Sequence, residues 1–175
     1  RSPLQLGAEL YGHAGVASDI EIVKLMLATL KHVGIAQTYM DIGHIGVFRT
    51  LSTESSLNDE QRAAVFEALQ RKAKDELKAF YKEWNVTDSA SNALLDLVDL
   101  NGDISVLNEA EKLLKNVSPE VIKYIEEVKT LAGAIKDQSD AKINIDLAEL
   151  RGYHYHTGMV YTAFVPGHGE GVAFG

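Results

Sequence analysis

Arg151, Gly152, Tyr153, His154, Tyr155, His156, Thr157 and Gly158 set a guanidinium ahead of two phenols and two imidazoles that lie between glycines. The apolar run Met159, Val160, Tyr161, Thr162, Ala163, Phe164 and Val165 follows directly. A guanidinium beside apolar sequence needs an anionic partner. Within the chain Asp146 or Glu149 can serve, and a ligand carboxylate or phosphate is the other choice. A strand entered in this way can line a pocket for a small polar molecule.

Gln5 and Glu9 stand four residues apart, so on an extended strand they share a face. An amide and a carboxylate placed together can receive an ammonium group, or simply form the wet side of a half-exposed strand. His154 and His156 share a face in the same way, and His168 would make a third imidazole. No spacing fixes that third ligand, so hydrogen bonding or packing is the preferred role over a metal site. Asp99, Asn101 and Asp103 match the opening of a calcium loop, but Ile104 replaces its glycine and Ala110 its bidentate glutamate. That segment is read as a helix-joining turn. Residues 167–171, Gly-His-Gly-Glu-Gly, are followed by no helix start and no lysine, so they connect strands and do not cradle a phosphate.

The elements that must hold these groups follow from hydrophobic periodicity. Residues 4–11 alternate, with Leu4, Leu6, Ala8 and Leu10 on one face, which predicts a strand. Ser18 and Glu21 form a capping-box pair ahead of a helical stripe through Ile22, Leu25, Met26, Leu30 and Val33, and Gly34 ends it. Residues 37–42 predict a second strand, and 43–49 a turn into a short helix. Between about 57 and 137 the period shifts from two to 3.6. Leu77, Phe80, Tyr81 and Trp84 make one stripe of this helical block, and Val121, Ile125, Val128, Ala132 and Ile135 another; Ser118 followed by Pro119 opens its last helix. Strand character returns at 143–147, at 159–165 and at 172–174. The expected fold is α+β, a largely antiparallel sheet flanked by helices, with residues 1–54 and 141–175 forming a core and 55–140 a helical insertion.

The 25 acidic and 17 basic residues give a formal charge of −8, which argues against a sequence-independent grip on nucleic acid. There is no cysteine, so thiolate catalysis, cysteine zinc sites and disulfides are excluded. No apolar run has the length of a membrane span. A soluble cytoplasmic protein is expected, and strand-like sequence at both ends reads as a fragment of a longer chain.

Gln5-Leu6-Gly7-Ala8-Glu9-Leu10-Tyr11-Gly12 together with Arg151-Gly152-Tyr153-His154-Tyr155-His156-Thr157-Gly158 resembles the catalytic core of histidyl-tRNA synthetases. The runs Ala8 to Gly15, Asp41-Ile42-Gly43-His44-Ile45-Gly46-Val47-Phe48-Arg49 and Phe164-Val165-Pro166-Gly167-His168-Gly169 are similar to that family's non-aminoacylating branch, the regulatory subunits of ATP phosphoribosyltransferase. The resemblance implies a class II aminoacyl-tRNA synthetase-like core, incomplete here, with the helical block at the family's insertion point. It implies histidine binding by Gln5, Glu9, Arg151, Tyr155 and His156. Positions matching Gln5 and Glu9 hold the amino group, and the position matching Arg151 contacts the carboxylate. Where synthetases continue with an aspartate and two tyrosines, this chain has His154, Tyr155 and His156, which speaks against aminoacylation. The implied protein is a non-catalytic regulatory subunit that needs no cofactor. Its implied partners are the short-form catalytic subunit and further copies of itself, with histidine as effector. The alternative is a histidyl-tRNA synthetase core. By the same resemblance, the dimer-forming, arginine-strand and glycine-arginine ATP motifs fall outside these residues.

Overall fold

The computed structural model describes residues 4–137, 139–153, 155–167 and 169–175. Helix α1 (Val16–His32) buries Val23 and Leu30. It ends in a Schellman motif: Ile35 N–H donates to Leu30 O and Gly34 N–H to Lys31 O, with Gly34 at φ +91°. Its start differs from expectation. Gly15 is the N-cap and makes no side-chain cap, while Ser18 lies within the first turn and turns its hydroxyl to His13.

Strand β1 (Tyr39–His44) runs into α2 (Ile45–Glu54), and the His44 side chain accepts from Gly46 N–H at the junction. The helical block continues with α3 (Asp59–Gln70), α4 (Lys74–Trp84) and α5 (Ser89–Asp96). A two-residue strand β2 (Asn101–Gly102) and α6 (Val106–Leu114) precede α7 (Pro119–Lys136). A capping box between Asn58 and Gln61 starts α3, and Asp88 caps α5 through Ser91 N–H. Pro119 occupies the first turn of α7, where its missing N–H has no partner to lose. The chain then forms β3 (Lys142–Asp146), β4 (Met159–Phe164) and β5 (Ala173–Phe174).

The sheet order is β2-β3-β1-β4-β5. Three neighbouring pairs are antiparallel, and the central pair β1 and β3 is parallel, with Met40 opposite Ile143 and Ile42 opposite Ile145. A parallel pair needs a long crossover, and the helical block supplies it. The segment read as a helix-joining turn also places Asn101 and Gly102 against Asp146 and Ile145, so the block adds an edge strand to the sheet.

One face of the sheet carries Met40, Ile42 and His44 against the helices, all buried. One continuous core joins Met40 and Ile42 to Phe48 of α2 and to Leu69, Leu77, Leu94, Leu107 and Val128 of the helical block. Cross-strand pairing puts Asn144, Asp41 and Thr162 in a polar row on the opposite face. Residues 4–14 form no helix or strand, contrary to the alternation, and Leu4, Leu6 and Tyr11 are exposed.

Candidate functional site

On the polar face, Gly43 of β1 leaves a gap that the chain after β3 fills. A Cβ at that position would stand 2.6 Å from Asp146 O and 3.0 Å from Glu149 Cβ, so only glycine lets this loop lie against the sheet. Asp146 is the anchor of the loop. Its Oδ1 accepts from Ala148 N–H, its carbonyl accepts from Glu149 N–H, and its Oδ2 lies 2.6 Å from Lys72 Nζ. Lys72 sits in the turn between α3 and α4 with φ +51°.

The same loop delivers Arg151. Its N–H donates to Glu149 Oε1 at 2.8 Å, and its Nη1 donates to Thr162 Oγ1 at 3.1 Å. Nη2 stands 3.9 Å from Glu149 Oε2, and the guanidinium lies 5.6 Å from the Phe174 ring centroid. His156 folds back over Gly152, whose φ is +74° and whose missing Cβ leaves room for the imidazole. Glu149, Arg151, His156, Thr162 and Phe174 thus line a cleft of about 220 Å³ that Val160 and Tyr161 also border.

Arg49 of α2 ties down the loop that carries His156. Its Nη2 donates to Tyr153 O at 3.2 Å and to His156 O at 3.0 Å, and its guanidinium lies over the Tyr153 ring. Nearby Asp41 accepts from Asn144 Nδ2. Burial is the main cause that raises the Asp41 pKa, while the Asn144 hydrogen bond, Lys72 and Arg151 work the other way.

Behind the sheet, the buried His44 ring stacks on Tyr124, with centroids 4.4 Å apart, and its Nε2 lies 3.4 Å from Glu127 Oε2. Burial lowers its pKa and Glu127 opposes the shift. Burial, and then Glu127, raises the pKa of Asp19.

Arg151 and His156 therefore meet in one cleft. Tyr155 does not join them and is 90% exposed. Gln5 and Glu9 lie on the exposed segment before α1 and do not line this cleft; there the Glu9 carboxylate accepts from the Tyr11 hydroxyl. His154 and His168 lie outside the described residues, and among the described residues no group of three potential ligands could hold a metal ion. Glu149, Thr162 and Phe174 were not among the residues expected to bind; Gly43, read as the start of a turn, lies inside β1 and is what admits the loop that carries Glu149. No helix among the described residues is long and apolar enough to cross a membrane.

The histidyl-tRNA synthetase family model matches residues 1–175. The chain belongs to the histidyl-tRNA synthetase family. Within that family its similarity to regulatory subunits of ATP phosphoribosyltransferase is marked. It is 42% identical to the one from Thioalkalivibrio sulfidiphilus over 176 aligned residues, covering all of this chain and 45% of that protein. With the one from Methylococcus capsulatus the identity is 43%, covering all of this chain and 43% of the relative. The chain thus spans under half the length of these curated relatives.

Solved structures show the same fold. A Bacillus halodurans protein described as an ATP phosphoribosyltransferase regulatory subunit/histidyl-tRNA synthetase superposes with TM-score 0.77 at 23% identity, over 93% of this chain and 43% of that one. A chain of the Thermotoga maritima ATP phosphoribosyl transferase (HisG:HisZ) complex gives 0.73 at 13% identity, over 92% of this chain and 56% of that one. The expected class II core is therefore the fold, with a mixed five-stranded sheet in which the antiparallel pairs surround one parallel pair.

Proposed function

We propose that this chain is part of a non-catalytic regulatory subunit of ATP phosphoribosyltransferase, which supports a short-form catalytic subunit in the first step of histidine biosynthesis. The observation that carries the reading is identity above 40% along all 175 residues to proteins named as that subunit. The motif after Arg151 agrees with it. His154, Tyr155 and His156 stand where a synthetase would carry an aspartate and two tyrosines, so the polar groups suited to histidine activation are altered.

Histidine is the effector in this reading, bound at the Arg151 and His156 cleft. The physical mechanism is linkage: a ligand that prefers one arrangement of the mixed oligomer moves the equilibrium by its difference in affinity for the two states. A tenfold preference amounts to about 1.4 kcal/mol. Gln5, Glu9 and Tyr155 enter the site in this proposal only if residues 4–14 and the Tyr155 loop move from their present positions.

The test uses the full-length protein and the short catalytic subunit. Co-purification and a phosphoribosyl-transfer rate that falls on adding histidine are expected. A rate indifferent to both the subunit and histidine would refute the reading. Formation of histidyl adenylate by the full-length protein alone would instead favour a synthetase.

A further inference from the structure

We infer that a second cleft, between α1 and the end of α7, binds a small organic acid with an apolar body. It shares no lining residue with the Arg151 cleft, so the inference stands apart from the reading of that site.

The cleft encloses about 270 Å³, at the small end of the range for ligand pockets. Lys24, Leu27, Ala28 and Lys31 line it and recur at helical spacing, so they form one face of α1. Ile135 of α7 and Ala141 add apolar wall. Ala28 and Ala141 carry a single side-chain carbon each, which leaves the volume open.

The polar groups at this cleft lack partners. Thr38 is only 8% exposed. It has the parity of Met40 and Ile42, and its carbonyl accepts from Lys142 N–H at 2.9 Å in continuation of the pairing between β1 and β3. Its side chain therefore stands on the face of the sheet that meets the helices. The Thr38 hydroxyl has no hydrogen-bond partner among the described residues, and its oxygen is not sealed from solvent, which leaves the cleft as its opening. Lys24 and Lys31 form no ion pair among the described residues. Ser139 is engaged already, since its hydroxyl donates to Ile135 O at 3.0 Å and accepts from Ala141 N–H at 3.3 Å. Asp140 is the one acid among the described lining residues, so two ammonium groups stand against a single carboxylate.

Apolar walls, surplus positive charge and an idle hydroxyl donor together select a carboxylate on an apolar body. A neutral apolar molecule would leave the hydroxyl and the ammonium groups unanswered on entry. An amine would meet the surplus of like charge.

The test is calorimetric titration of the full-length protein with 3-phenylpropionate, its neutral amide and 3-phenylpropylamine. The acid should bind saturably at one site per chain, at least about tenfold tighter than the amide, and the amine should not bind. Thr38→Val removes the hydroxyl at nearly the same shape and should weaken the acid severalfold. Lys24→Gln with Lys31→Gln should erase the preference for acid over amide. Ala28→Leu fills the space from an exposed helical position that accepts leucine well, so it should keep its melting temperature and lose binding of the acid. Absence of saturable binding, equal affinity for acid and amide, or undiminished binding to the Ala28→Leu variant would overturn the inference. So would displacement of the acid by L-histidine, which would place it in the Arg151 cleft.

Discussion

Lys72 and Asp146 are 74 residues apart in sequence, yet Lys72 Nζ lies 2.6 Å from Asp146 Oδ2, so the turn between α3 and α4 is tied to the loop that carries Glu149 and Arg151. The two ends are not equivalent. The Lys72 side chain is 41% exposed and the Asp146 side chain 10%. Asp146→Ala removes the ion pair and the cap on Ala148 together, with an expected cost of about 1–3 kcal/mol. Lys72→Met removes an ammonium that water already screens, and less than about 1 kcal/mol is expected. Urea denaturation of both single variants and the double variant checks this, and equal costs for the two single changes would contradict it.

Arg49 is the clamp on the loop that carries His156. Arg49→Ala removes its hydrogen bonds to the carbonyls of Tyr153 and His156, each bond being worth about 1 kcal/mol. Hydrogen exchange should speed up across 151–158 while α2 stays protected. Histidine binding should weaken by about tenfold, with Arg49→Lys in between because an ammonium can still reach one carbonyl.

His44 makes stability depend on pH in a direction fixed by its surroundings. Burial lowers its folded pKa below the ordinary 6.5, against the pull of Glu127, while Asp19 next to Glu127 is itself pushed upward, chiefly by burial. As pH falls through about 6.5 the unfolded chain gains a proton that folded His44 refuses, so stability drops until the folded value is passed. His44→Asn keeps an acceptor for Gly46 N–H and removes the titration. Between pH 7.5 and 5.5 the parent should lose more stability than the variant, and parallel curves would show that His44 is not the titrating group.

Asp88 acts in a lower window. Burial works to raise its pKa, but hydrogen bonds from Ser56 Oγ, Ser91 N–H and Ser91 Oγ prevail and hold it at about 2. Its contribution is complete above the unfolded value near 3.9 and is lost as pH falls through about 2. Asp88→Ala should cost about 1–2 kcal/mol at neutral pH, and Asp88→Asn less, because asparagine also caps helices well.

The helical block was legible because its helices carry their own stop and start signals. Pro119 begins α7 where the sequence places it, and outside the block Gly34 ends α1 in the same way. Strand β3 was legible through alternation and β4 through its apolar run. The alternation at 4–11 was misleading, because it reports a face suited to a partner, and these residues pair with no strand here. Asn101 and Gly102 looked like a plain turn, since the strand they join at Ile145 and Asp146 is remote in sequence. Arg151 was found by charge in apolar company. Glu149 was visible only as its partner, because its close approach to the sheet depends on Gly43 of β1.

The parallel pairing of β1 with β3 sets the order in which this chain can become ordered. Tyr39 and Lys142 are 103 residues apart, so pairing them early costs loop-closure entropy that no local contact repays, and the centre of the sheet is expected to form late. Helices α2 to α7 must gather first and bring the strands within reach. Deleting the block to leave a minimal sheet would then remove the scaffold on which the sheet assembles, and the shortened chain should aggregate through its unpaired strands.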